Sequence, residues 1–241
     1  YLAPLDGGIP QFYRAYDPAA KRYDFELQPW PGSGECYELL AIADPQPKTE
    51  EHFRRLRSEV MPALQAATDN GRTRGSNQAA IVLGDIVWDS PELFAGVKAE
   101  FAGLGVPVYG VIGNHDHIQN AASDDLAVAE YEKYLGPTNY AVDLGQLHYI
   151  FLDDINMKDN SALSSSATGA YQNGLSDETL EWLRGRLAHI DKSKTLMVCA
   201  HSSLYKKIDY NPSSTDLNAT AYTNLFSGYK YVHSWAGHQH Y

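Results

Sequence analysis

Ala79-Ala80-Ile81-Val82-Leu83-Gly84-Asp85 is an unbroken apolar run that stops at a glycine and a carboxylate. A short run without polar interruption, closed by a turn signal, reads as a strand buried on both faces. The glycine permits a tight turn and a close approach of the backbone. The same grammar recurs along the chain. The run over 37–43 ends in Asp44-Pro45-Gln46, and that over 106–112 in Gly113-Asn114-His115-Asp116. The run over 195–200 ends in His201, and that over 229–236 in Gly237-His238-Gln239-His240. Between the runs, helices are expected at 50–68, 90–103, 124–135 and 176–190. In the first, Phe53, Leu56, Val60 and Leu64 recur three or four residues apart. In the last, Ser176-Asp177-Glu178-Thr179 puts acids in the opening turn. A hairpin is expected from 138–143 and 146–152 around Leu144-Gly145. Strands alternating with helices argue for an α/β domain.

Outward from these runs the character changes. Residues 12–16 and 23–27 alternate as strands do, on either side of Asp17-Pro18, and 29–34 is a Pro- and Gly-rich linker. Residues 1–34 are therefore expected to be the tail of a preceding β-rich domain, and 35–241 the α/β domain. The chain opens at Tyr1 with no initiator Met and stops directly after Gly-His-Gln-His, so it reads as a piece of a longer protein. Two polar stretches, 154–174 with Ser164-Ser165-Ser166 and 202–228, read as long loops of the kind that serve function.

Composition narrows the function. With 44% hydrophobic residues the 241-residue chain can bury a sizeable core. No apolar run reaches the ~18 residues of a membrane span. Acidic residues outnumber basic ones by 30 to 19, a net charge of −11. Nucleic acid is thus not expected as a partner, unless metal ions reverse the sign locally. Cys36 and Cys199 are too few for a disulfide framework or a Cys-rich zinc site, and Cys199 reads as a small core residue.

Taken singly, the polar endings are ordinary. Asp85 could cap a helix, Asn114 could take a left-handed turn, and His201 could be a satisfied core histidine. A bland reading has to explain why five strand ends carry metal-binding residue types at once. In open α/β sheets, ligands bind beyond the carboxyl ends of the strands.

The ordered set Gly84-Asp85, Gly113-Asn114-His115-Asp116, His201 and Gly237-His238-Gln239-His240 resembles the calcineurin-like metallophosphoesterases over about residues 37–241. The resemblance implies a four-layer α/β/β/α sandwich with two divalent metal ions, of Mn, Fe, Mg or Zn, between the sheets' ends. It implies that Asp44 binds the first metal and Asp85 bridges both. Asn114, His201 and His238 would bind the second, and His240 would return to the first. His115 would serve as acid or charge stabiliser at the leaving group, with Asp116 orienting it. The family opens with Asp-x-His, whereas this chain has Asp44-Pro45-Gln46. Gln46 can offer a carbonyl oxygen, which suits an oxygen-preferring metal. The Asp-Pro-Gln opening is similar to a branch linked to modular extracytoplasmic bacterial proteins, so a periplasmic or secreted location is expected. Purple acid phosphatases carry an iron-binding Tyr where this chain has Trp88, which sets that branch aside. Further strands normally follow the last motif, so the domain is expected to be incomplete at its C-terminal end.

The activity implied is hydrolysis of a small-molecule phosphomonoester or phosphodiester by attack of a metal-bridging hydroxide. Two other readings stay open. One is a cyclic-nucleotide phosphodiesterase or nuclease with the same centre. The other is a catalytically degraded metal- or ligand-binding module, with Gln46 marking a lost site. Trp88 and His117 are candidates for lining the site, and tyrosines in 202–231 for an aromatic mouth. His52, His148, His189 and His233 receive no role. Lys206-Lys207 reads as a solvated pair and Asn218-Ala219-Thr220 as an incidental sequon.

Overall fold

Successive side chains of a strand point to opposite faces, so a strand covered on both sides must be apolar at every position. The computed structural model, which describes residues 17–22, 36–157, 171–203 and 219–240, shows where those two faces go. The first sheet is parallel, in the order β1 (Tyr37–Ile42), β2 (Asn77–Leu83), β3 (Val108–Val111). Next, β4 (Tyr140–Leu144) and β5 (Leu147–Leu152) form the expected hairpin, with Leu144 opposite Leu147. A small antiparallel ribbon follows, β6 (Ile155–Met157) with β7 (Tyr171–Asn173). Then β8 (Thr195–Ala200) and β9 (Val232–Trp235) add in parallel to β5, giving a second sheet of order β4-β5-β8-β9.

The alternation sorts the apolar residues into three cores. Ala79, Ile81, Leu83 and Val111 of the first sheet face Tyr149, Phe151, Met197 and Cys199 of the second. Val82 points the other way, onto Phe53 of α1 (Glu50–Arg55) and onto Phe94, Val97 and Phe101 of α3 (Phe94–Ala102). Ile150, Leu152, Leu196 and Val198 face Leu180, Leu183 and Leu187 of α6 (Asp177–Leu187) and Tyr222 of α7 (Ala219–Leu225). The result is helix, sheet, sheet, helix, as the resemblance implies. Phe151 lies fully buried between the sheets, its ring stacked on Tyr140 with centroids 4.4 Å apart. Burying one such side chain contributes about 1.5–3 kcal/mol.

Several elements differ from expectation for local reasons. The first helix runs to Thr73 and contains a π-helical stretch, Leu56–Val60, before α2 (Met61–Thr73). Pro62 has no N–H to continue the α-helical ladder, and the wider turn accommodates that loss. Residues 90–103 begin as a 3-10 turn, Pro91–Leu93. Residues 124–135 break at Val128 into α4 (Asp124–Ala127) and α5 (Ala129–Leu135). The expected loop over 154–174 starts and ends in the β6–β7 ribbon, and that over 202–228 contains α7. Asp17 does open a turn, its carboxylate accepting from Ala19 N–H at 2.8 Å. The strands expected at 12–16 and 23–27, Lys206-Lys207 and Asn218 lie outside the described residues. Among the described residues no helix is long and apolar enough to cross a membrane.

Candidate metal centre

Beyond the strand ends the chain reverses through left-handed turns. Asp44, Gln46, Asp85, His238 and His240 have φ of 51°, 42°, 49°, 69° and 47°. Residues with a Cβ avoid this region at a cost of about 1–2 kcal/mol each, and strain of this kind gathers at functional sites. Hydrogen bonds between loops hold these conformations. Asp44 N–H donates to Gly84 O at 3.3 Å and Gln46 N–H to Asp85 O at 3.1 Å. The His238 N–H donates to both carboxylate oxygens of Asp44 at 3.0 Å. Gly84, at φ +86°, must be glycine, because a Cβ there would sit 2.3 Å from His201 Nδ1. A Cβ on Gly113 would sit 2.2 Å from Asp85 Oδ1.

These turns bring the donors together. His201 is fully buried, and its Nδ1 contacts the Leu83 carbonyl at 2.8 Å. A carbonyl only accepts, so Nδ1 carries the hydrogen and Nε2 faces the centre. Around that Nε2 lie Asp85 Oδ2, Asn114 Oδ1 and His238 Nδ1, each at 3.2 Å. Asp44 Oδ1 meets His240 Nε2 at 3.2 Å. Donor atoms of Asp85, His201 and His238 lie within 4.8 Å of one another, as do those of Asp44, Asp85 and His240. Asp85 belongs to both groups. Acceptor atoms converging in this way need a positive species among them, a proton on His201 or a metal cation. Ligands bound at about 2.0–2.2 Å stand roughly 3–3.5 Å apart, so the observed spacings fit a cation. Carboxylate and amide oxygens mixed with imidazoles suit Mn, Fe or Zn.

The electrostatics follow from burial and pairing. Burial works against the Asp85 charge, but the bond and positive charge of His201 hold its carboxyl below the ordinary range. His201 shows the converse: burial opposes its charge, and Asp85 raises it above the ordinary histidine range. Burial and the His201 charge push His238 down to about 4, which leaves its imidazole neutral and its lone pair available. Burial, with Asp85 adding to it, pushes the Asp116 carboxyl up.

Gln46 reaches the centre with its side-chain amide, whose nitrogen donates to Asp85 Oδ2 at 2.5 Å. One expected role changes. Asp116 does not orient His115. Its buried carboxylate accepts from Val87 N–H at 2.9 Å and Gly113 N–H at 2.8 Å, tying the loop after β2 to that after β3. Those buried backbone donors need an acceptor, and Asp116 is the side chain that supplies it. The carboxylate on His115 is Asp89, whose Oδ1 lies 3.0 Å from Nδ1. The Asp89 N–H donates in turn to His115 O at 3.0 Å, and the Trp88 ring stacks on His115 at 4.4 Å. The His115 N–H itself donates to Asp85 Oδ1 at 2.9 Å.

A cleft of about 230 Å³ opens over the donors, lined by Gln46, Asp85, Trp88, Asn114, His115, Gln119, Tyr171, His238 and His240. Trp88 lines it as expected. His117 lies beneath instead, fully buried, with Nδ1–H donating to Gly113 O at 2.8 Å and Nε2 3.5 Å from Asp153. Of the tyrosines expected at an aromatic mouth, Tyr205 and Tyr210 lie outside the described residues, and Tyr222 and Tyr229 belong to the outer core. Among the described residues the cleft's aromatic walls are Trp88 and Tyr171. Buried Asp154 accepts from the N–H groups of His201 at 3.1 Å and Ser202 at 3.0 Å, and from the Ser202 hydroxyl. Asp153 and Asp154 follow an apolar run, 147–152, so the strand-end grammar applied to β5 would have found them. No such signal marks Asp89 or Tyr171. His148, given no role, is buried at the start of β5 against Asp143 at 2.8 Å.

The family model for calcineurin-like phosphoesterases matches residues 37–241, and the chain belongs to that family. It is a metal-dependent phosphoesterase, and membership implies divalent metal ions as cofactors. Two solved structures share the fold. One is a dimetal phosphatase from Danio rerio, with a TM-score of 0.56 and 19% identity over 86% of this chain and 82% of that one. The other is a purple acid phosphatase from seeds of yellow lupin (Lupinus luteus), with a TM-score of 0.57 and 14% identity over 88% of this chain and 39% of that one. Among curated proteins none matches.

Proposed function

We propose that the chain hydrolyses a small-molecule phosphomonoester or phosphodiester at a two-metal centre. The observation that carries this reading is the sharing of Asp85 between two donor groups. Asp85 would be shared by two ions, Asn114, His201 and His238 would hold one of them, and Asp44 and His240 would hold the other with Gln46 beside it. When bound, two divalent ions would supply charge neutralisation of the ester and a water acidified for attack. The chain's own groups do the rest. The Leu83 carbonyl sets the His201 tautomer, and Asp154 fixes the loop that carries it. Asp89 holds the Nδ1–H of His115, which turns Nε2 toward the leaving oxygen as proton donor. Trp88 keeps that ring in place by stacking. Asp116 acts on the loops, through Val87 and Gly113.

The net charge of −11 favours a small ester over a nucleic acid strand. The test pairs metal analysis of the purified chain with turnover of an aryl phosphate and a bis-aryl phosphate. Two ions per chain and metal-dependent turnover of either ester are expected. One ion or none, with no turnover under Mn, Mg, Fe or Zn, would instead indicate a binding module.

A further inference from the structure

We infer that Tyr171 is a substrate-contacting residue, its hydroxyl donating to a non-bridging oxygen of the phosphoryl group on the His238 side of the centre. This rests on the phosphoesterase reading above and adds to it a residue that comes from neither sheet. Tyr171 opens β7, paired with Met157 of β6 in the separate ribbon. β6 begins directly after Asp154, and Asp154 binds the backbone of His201 and Ser202. Asp154 therefore ties a predicted metal ligand, through its carboxylate, to the ribbon that carries Tyr171, through its backbone carbonyl, which accepts from Gly174 N–H at 2.8 Å.

The ring of Tyr171 meets that of His238 edge-on, with centroids 6.2 Å apart and planes at 76°. The residue lines the same cleft as Asp85, Asn114 and His115. Its hydroxyl makes no hydrogen bond to another described residue, although the side chain is largely covered. A half-buried phenol needs an acceptor, and a phosphoryl oxygen in this cleft supplies one. Its neighbours are committed elsewhere. Gln119 directs its amide nitrogen at Asn114 O at 3.0 Å and His117 O at 3.1 Å. His115 faces the leaving group in the proposed arrangement. Tyr171 thus provides an O–H for the group that stays behind, and it keeps its proton throughout.

The test is Tyr171→Phe in the full chain loaded with Mn, which deletes only the hydroxyl. Metal content and Tm should match those of the unaltered chain. The value of kcat/KM for an aryl phosphate should fall roughly 10-fold or more, as for a hydrogen bond to a charged group. The inhibition constant of inorganic phosphate should rise by a similar factor. Unchanged kcat/KM and unchanged phosphate inhibition would overturn the inference. So would loss of one metal ion in the variant, or a visible charge-transfer band in the ferric-loaded chain that vanishes in Tyr171→Phe, since either makes the phenol a metal ligand. If the unaltered chain turns over no ester, the functional reading fails separately. Calorimetric binding of inorganic phosphate to the Mn-loaded chain then still reads Tyr171, with weaker binding in the Phe variant expected and equal binding overturning the inference.

Discussion

The two sheets bring different chemistry to the centre. Beyond β1, β2 and β3 of the first sheet stand the oxygen and amide groups of Asp44, Gln46, Asp85 and Asn114. Beyond β8 and β9 of the second stand the imidazoles of His201, His238 and His240. Each donor group mixes the two, as in Asp85 with His201 and His238, or Asp44 and Asp85 with His240. Neither half could assemble a mixed site alone. In the proposed centre, metal binding would therefore depend on closure of the core between the sheets, where Ile81 and Leu83 face Phe151 and Met197. The difference also appears in the backbone. The strands are regular and apolar, while five of the candidate ligands just past them sit at left-handed φ. Regular packing over-determines the positions of the strained turns.

Substitutions on either side of this divide should behave differently. The largest effect on turnover is expected for Asp85→Asn, which removes the one charge common to both groups. Steady-state kinetics should show a loss of about 10²–10³-fold or more, with the fold retained. Wild-type activity with wild-type metal content in that variant would dismiss the shared-carboxylate arrangement. Phe151→Ala attacks closure instead of donors. Denaturant unfolding should show a loss of about 3–5 kcal/mol, and metal affinity should fall with it although no ligand has changed. Equal metal affinity would show that the two halves are coupled less than their mixed donors suggest.

His117 sharpens the comparison, because it spans the divide from the loop after β3 to Asp153 beyond β5. His117→Asn keeps a donor where Nδ1 meets Gly113 O, and His117→Gln keeps only the reach toward Asp153. Each should cost about 1–3 kcal/mol in stability, the range for a disturbed buried polar contact. Metal titration should show tighter binding in the Asn variant than in the Gln variant, since Gly113 immediately precedes Asn114. The reverse order would place the useful contact at Asp153. Gln46→His is expected to have the smallest effect, a shift of preference from Mg toward Zn or Fe with Tm unchanged, read by activity under each metal. A collapse of folding would make Gln46 a structural residue.

Much of this arrangement was legible in the sequence, because strand ends are local. An apolar run closing on Gly84-Asp85 or Gly237-His238 carries its own punctuation, and the parallel topology then brings distant ends to one edge. The partner of His115 was not legible. Asp116 is adjacent to His115 while Asp89 lies 26 residues away, and the choice between them depends on which carboxylate meets the buried N–H groups of Val87 and Gly113. Tyr171 was hidden for a similar reason, since the ribbon that carries it forms through pairing across the polar stretch between 157 and 171. The π-helical stretch before Met61 had a visible cause in Pro62, but the hydrophobic spacing of Phe53, Leu56, Val60 and Leu64 reads smoothly through it.

The central claim is that Asp85 stands between two cations held by mixed donors from both sheets. Anomalous diffraction at the Mn edge, from crystals grown with Mn and inorganic phosphate, tests it most directly. The account predicts two peaks about 3.5–4 Å apart, with the Asp85 carboxylate bound to both and His201 and His238 bound to one of them. A single peak, or two peaks with Asp85 bound to neither, would contradict it.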